Sequence, residues 1–236
     1  MSPSRWTFAI PGAVLAAAVA VRGADARVVA ALLAVDVAVP LLPWRVPRRD
    51  RSGVSYWAES IVPVGALTVA AAISLAGGAA WAALPHPAWL LAGGLTGIVL
   101  LRATGTDVRS VLSGDLAALL GPDRPSHACA RGTAILLAPF AEEAVFRGVA
   151  PGLPGVDWSV AVLALLAFVG RHHVVRGLER RATRRILLTE TSSGLAFLAL
   201  AAASGSIWPA VVAHALNNLP FAVLEFQQAR PEESFA

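Results

Sequence analysis

Residues 130–150 read ARGTAILLAPFAEEAVFRGVA, an apolar run that carries Glu142, Glu143 and Arg147 in its second half. About 20 such residues cross a bilayer as one helix. A carboxylate at bilayer depth costs about 2.5–3.5 kcal/mol on insertion scales, so it persists when it is paired, lines a cavity or performs chemistry. Residues four apart share a helix face, which pairs Glu143 with Arg147. Glu142 lies about 100° further round the helix and has no partner in its own segment. One reading makes Glu143–Arg147 a structural ion pair and Glu142 a free, desolvated carboxylate suited to general-base work. The alternative is a charged helix end at the interface, entered through Pro139, with all three residues solvated.

The rest of the chain repeats this apolar blocking. Of 236 residues 56% are hydrophobic and 14% charged, against roughly 45–50% and about 25% in soluble domains. Further runs fall at about 6–21, 28–44, 58–83, 88–101, 157–175, 186–204 and 206–226. Backbone amides facing lipid must be paired within their own segment, so the runs are expected to be helices. The expected fold is all-α, a polytopic membrane bundle of about eight transmembrane helices. Residues 1–125 would form N-terminal transmembrane helices with a connector, 126–228 the core that carries the chemistry, and 229–236 a polar tail. No internal repeat is visible. The stretch 106–120 places Val108, Val111, Leu112, Leu116, Leu119 and Leu120 at helical spacing and reads as one interfacial amphipathic helix.

The net charge of +4 is carried by arginine alone, because the sequence has no lysine. These arginines sit in short loops between apolar runs, where they set orientation rather than bind nucleic acid. Arg5, then Arg45, Arg48, Arg49 and Arg51, then Arg102, Arg109, Arg124 and Arg131 fall on one side. Arg171, Arg176, Arg180, Arg181, Arg184, Arg185 and Arg230 continue it, and Arg22 and Arg27 are the exceptions. Both termini are therefore expected in the cytoplasm, and the short loops and alanine–arginine bias suggest a bacterial cytoplasmic membrane. The first segment, followed by Ala24-Asp25-Ala26, also reads as a signal peptide. The single cysteine, Cys129, excludes an internal disulfide and a multi-cysteine metal site, and reads as a small core residue.

Two more polar groups interrupt the later runs. Phe168 and His172 lie four apart at the end of an apolar stretch, with His173 as an alternative to His172. His214 and Asn218, also four apart, project together from the last run and are suited to donate to an oxyanion. The plain alternatives are an interfacial histidine and helix–helix hydrogen bonding. Together the groups supply a base, a second histidine and paired donors on three helices, the parts needed to activate water.

In order, these residues spell Glu-Glu-x-x-x-Arg, Phe-x-x-x-His and His-x-x-x-Asn. The strings 138–148 and 205–218 around them are typical of the CAAX-protease and bacteriocin-processing family of intramembrane endopeptidases, which the chain resembles over about 130–220. That family includes type II CAAX prenyl endopeptidases. The resemblance implies that Glu142 and His172 activate the attacking water. It implies that His214 and Asn218 polarise the scissile carbonyl, and that Glu143, Arg147 and Phe168 support the site. Arg171, directly before His172, departs from the small or apolar residue usual there.

The family's frequent description as metalloproteases raises zinc, with Glu142, His172 and His214 as its ligands. No His-Glu-x-x-His motif is present, and zinc would occupy the groups needed as base and donor. Metal-independent hydrolysis is the expectation, with zinc as the alternative cofactor. The expected substrate is a membrane protein or lipid-modified peptide cut near its C-terminus. The rivals are a non-catalytic immunity or scaffold protein that retains the fold, and a transporter built around Asp36, the other acid deep in a span.

Overall fold

Ten α-helices make up most of the residues that the computed structural model describes, 5–22, 24–41, 53–153, 155–176 and 180–229, and no strand occurs among them. They are α1 (Arg5–Ala20), α2 (Ala24–Ala38), α3 (Gly53–Ala76), α4 (Pro87–Ala103), α5 (Val108–Leu112), α6 (Asp115–Leu120), α7 (Pro125–Glu143), α8 (Trp158–Arg176), α9 (Arg180–Ser204) and α10 (Trp208–Gln228). Each of the eight apolar runs holds one of the longer helices. Arg45, Arg48, Arg49, Arg51, Arg230 and the rest of the tail lie outside the described residues, as does the side chain of His173.

Local chemistry moves several boundaries. The run 28–44 leaves α-helical geometry after Ala38 for a single 3-10 turn, Val39–Leu41, because Pro40 disfavours helical backbone at the residue before it. The run 58–83 ends as helix at Ala76, and a turn at Gly77-Gly78 leads into a short 3-10 turn, Ala80–Ala82. The connector 106–120 is two short helices rather than one. Gly114 takes φ 85°, a left-handed conformation that favours glycine, and divides α5 from α6. Asp107 caps α5 by accepting from the backbone N–H of Arg109 and Ser110, at 3.1 and 3.2 Å. The Ser110 hydroxyl and backbone hold its carboxyl below the usual range. Pro139 is not a helix entry, since α7 starts fourteen residues earlier with Pro125 in its first turn.

After Glu143, α7 widens into a π-helical stretch, Ala144–Val149. Val145 and Phe146 pack into one core with Leu15 of α1, Leu33 of α2, Leu67 of α3 and Phe168 of α8. Ala144 faces a second core with Trp81, Phe197 of α9 and Ala210 and Ala213 of α10. The core thus crosses the boundary expected near residue 125, and α1 is built into it. Arg22, just beyond α1, donates to the Ala150 carbonyl at 2.5 Å. Cys129 is half-buried.

The outer surface is apolar. On α4, Leu91, Leu95 and Val99 recur every fourth residue and are 71%, 66% and 64% exposed, a stripe that suits lipid. By length and composition one described segment, Leu187–Ser204, suffices to cross a membrane alone. Ala9–Ala20, Ser60–Ala76, Pro87–Ala103 and Trp158–His172 are apolar but shorter. The count of eight spans therefore does not follow from helix length.

Opposite its lipid-suited stripe, α4 meets α10 backbone to backbone. A Cβ on Gly97 would stand 2.6 Å from the Ala213 carbonyl oxygen, and one on Gly93 2.2 Å from that of Pro209. Small residues four apart are the usual means of such approach between membrane helices. The contact sets the position of the α10 turn that carries His214. Gly97→Ala is expected to destabilise the bundle by about 1–3 kcal/mol. Gly94→Ala, whose Cβ would meet only Leu216 Cδ1 at 4.0 Å, should be near neutral. Denaturant titration of the detergent-solubilised protein checks both.

Candidate active site

Six of the residues singled out in the sequence, Glu142, Glu143, Arg147, Phe168, His172 and His214, come together where α7, its π-helical continuation, α8 and α10 converge, and α2 and α9 add Asp36 and Glu190. Glu142 and Glu143 are adjacent at the end of α7 but face different neighbours, as the 100° step between them requires. Both are buried, as are Arg147 and His214.

Glu143 is the hub of one cluster. Arg147, four residues on, brings Nε to 3.2 Å from Glu143 Oε2. Its guanidinium lies 4.1 Å from the centre of the Phe168 ring and 5.7 Å from that of Phe197. The two terminal nitrogens have no hydrogen-bond partner among the described residues, so the aromatic faces are what meets this cation. His214 Nδ1 lies 2.8 Å from Glu143 Oε1. A carboxylate accepts, so Nδ1–H donates, and Nε2 is left as the ring's remaining polar atom. Phe197 stacks on the His214 ring at 5.0 Å. Asn218 is one turn further along α10 and half-buried, and beside it Asn217 Oδ1 is a buried acceptor without a partner among the described residues.

Glu142 belongs to a second cluster, and it is not free. Arg171 Nη1–H donates to Glu142 Oε1 at 2.6 Å. The same guanidinium donates through Nε to both oxygens of Asp36, at 2.8 and 2.9 Å. Arg171 is therefore a half-buried member of the site and not a loop charge, which corrects its place in the arginine count. Glu142 Oε2 has no hydrogen-bond partner among the described residues and lies 3.9 Å from His172 Nε2. His172 Nδ1 is 2.9 Å from the Phe168 carbonyl, which only accepts, so Nδ1 carries the hydrogen. Nε2 is thereby turned toward two carboxylates, because Glu190 Oε2 of α9 also stands 3.9 Å from it. Phe168 separates the histidines, 4.5 Å from the His172 ring and 6.2 Å from that of His214.

The geometry also bears on depth. Glu142 is eleven residues from Arg131, whereas His172 is four from Arg176, yet the two side chains meet. Arg131 is bound in place by Asp123 at 2.8 Å and by Glu225 through Nε at 2.6 Å. It is thus a poor marker of where the membrane begins.

Among the described residues no three His, Cys, Asp or Glu side chains are gathered as a metal ion requires. The atoms left to the trio suggested for zinc, Glu142 Oε2, His172 Nε2 and His214 Nε2, are not gathered into such a group.

Residues 127–220, less than half of the chain, match the family model described as Type II CAAX prenyl endopeptidase, Rce1-like. The segment is similar to that family, which is membrane-associated and protease-like. No curated protein and no solved structure matches the chain.

Asp36, Arg171 and Glu190 were not among the site residues named from the sequence. The signals were present. Arg171 breaks the family pattern, Asp36 is an acid within a span, and Glu190 is an acid inside the run 186–204. The insertion cost that singled out Glu142 applies equally to Glu190.

Removing Glu143 strands Arg147 in the core. Glu143→Ala is expected to destabilise by about 3–5 kcal/mol, the usual result of breaking a buried ion pair from one side. Glu143→Gln with Arg147→Met should recover most of that loss in the same denaturant titration.

Proposed function

We propose that this protein is an intramembrane endopeptidase that hydrolyses a peptide bond at or near the bilayer without a metal ion. The observation that carries the proposal is a buried carboxylate oxygen facing an imidazole nitrogen across a gap. Glu142 Oε2 is a buried acceptor without a partner among the described residues, 3.9 Å from His172 Nε2. That separation is too long for a direct hydrogen bond and suits a bridging water.

Such a water gives a proton to Glu142 Oε2 while its oxygen bonds to the scissile carbonyl carbon. His214 acts here as the imidazolium: Nδ1–H stays on Glu143, and Nε2–H and the Asn218 amide donate to the carbonyl oxygen as negative charge develops there. The C–N bond then breaks, and the proton held at the Glu142–His172 pair passes to the leaving amine. Glu190 Oε2, 3.9 Å from His172 Nε2, faces the ring when that nitrogen takes up a proton. Glu143 fixes the His214 ring and is held by Arg147.

The substrate class that fits is a membrane protein or lipid-modified peptide, cut near its C-terminus. Residues 126–228 form the CAAX-protease-like core, 1–125 the N-terminal transmembrane region and 229–236 a tail. The molecule spans a bacterial cytoplasmic membrane about eight times with both termini inside. The exposed apolar stripe on α4 supports lipid contact, and the loop arginines support the orientation.

One observation favours a second reading. Arg171 occupies one oxygen of the proposed base, as a structural ion pair would, and this suits a non-catalytic immunity or scaffold protein that retained the fold.

The test is cleavage of a quenched library of hydrophobic C-terminal peptides by the detergent-purified protein. Glu142→Gln and His172→Ala are each expected to lower kcat by at least about 100-fold, while a chelator has no effect. Cleavage by Glu142→Gln at the wild-type rate contradicts the proposal. Loss to chelator with recovery on adding zinc contradicts its metal-free form.

A further inference from the structure

The Rce1-like match begins at residue 127, yet one of the groups that shape its site comes from α2. Asp36 is 1% exposed, and both of its carboxylate oxygens are taken by Arg171 Nε. Arg171 then reaches Glu142 with Nη1 alone and touches Oε1 alone.

That one-point contact needs a cause. A guanidinium is a planar fork of five N–H donors, and its preferred grip on a carboxylate is two parallel bonds. Arginine also has a long, flexible stem. Left with Glu142 as its only anion, Arg171 would take both oxygens, and Oε2 would lose its empty face. The Asp36 carboxylate prevents this by holding the guanidinium at Nε. We propose that Asp36 is a positioning residue for the site. It acts through Arg171, restricting that side chain to Glu142 Oε1 and so keeping Oε2 open toward His172. The region before residue 127 then completes the site as well as anchoring it.

This inference rests on Glu142 as the proposed base, and the experiment separates the two. Wild type, Asp36→Asn, Arg171→Leu and the double variant Asp36→Asn/Arg171→Leu are compared on whichever peptide of the quenched library the wild type cleaves. Asp36→Asn releases Arg171 onto Glu142, and kcat is expected to fall about tenfold or more, with KM within about twofold. The double variant removes both the clamp and its restraint, so kcat should recover well above that of Asp36→Asn. A group that only stabilises the fold would give no such recovery.

Asp36→Asn at the wild-type kcat overturns the inference. So does a double variant that melts like the wild type yet is no faster than Asp36→Asn. A double-mutant cycle between Asp36→Asn and Glu142→Gln, read by melting temperature in detergent, decides the physical link independently of activity. Coupling is expected in the wild-type background and should vanish with Arg171→Leu, and its absence from the wild-type background overturns the inference. If no peptide is cleaved, the peptidase proposal fails while the cycle still decides whether Asp36 and Glu142 are joined. If Asp36→Asn abolishes cleavage while Glu142→Gln cleaves normally, both fail.

Discussion

The Arg171 guanidinium lies between two buried carboxylates, Asp36 on α2 and Glu142 at the end of α7, and ties the two halves of the chain together. Each carboxylate alone would be expensive in an apolar bundle, and so would the cation. Shared among the three, the charges are hydrogen-bonded at 2.6–2.9 Å. The arrangement needs α2, α7 and α8 in register, and the core around Leu15, Leu33, Leu67 and Phe168 supplies that register. The second buried cluster, Arg147–Glu143–His214, ties α7 to α10 in the same way. Two adjacent glutamates thus address two different networks, because a helix turns about 100° per residue.

The consequence for chemistry is an asymmetry within Glu142. One oxygen is spent on Arg171, and the other is buried and empty. His172 is oriented by a bond to its own helix, which leaves Nε2 for whatever occupies the gap. The proposed hydrolysis uses the empty oxygen and that nitrogen, and the oxyanion donors come from a helix seated on α4 by glycine contacts. No single element carries the site, so the packing that places α4, α8 and α10 is part of the proposed mechanism.

The helices themselves were legible in the sequence, because runs of apolar residues in a bilayer have only one way to pair their amides. So was the Glu143–Arg147 pair, which depends only on i,i+4 spacing. What spacing within one helix cannot show is which helices touch. Arg171 reads as one more arginine near a helix end until the fold brings Asp36 of α2 to it, and Glu142 reads as unpaired for the same reason. Glu190 lies inside the run 186–204 in the sequence, and only the packing of α9 against α8 shows that it stands beside His172. The single connector helix failed at Gly114, where a left-handed turn outweighs a regular apolar pattern.

A structure of the purified protein in lipid nanodiscs, at a resolution that places side chains and ordered water, tests the central claim most directly. The expected result is Arg171 between Asp36 and Glu142, with a water bridging Glu142 Oε2 and His172 Nε2. Arg171 turned out to the lipid headgroups, or its fork closed on both Glu142 oxygens with Asp36 left apart, would contradict the account.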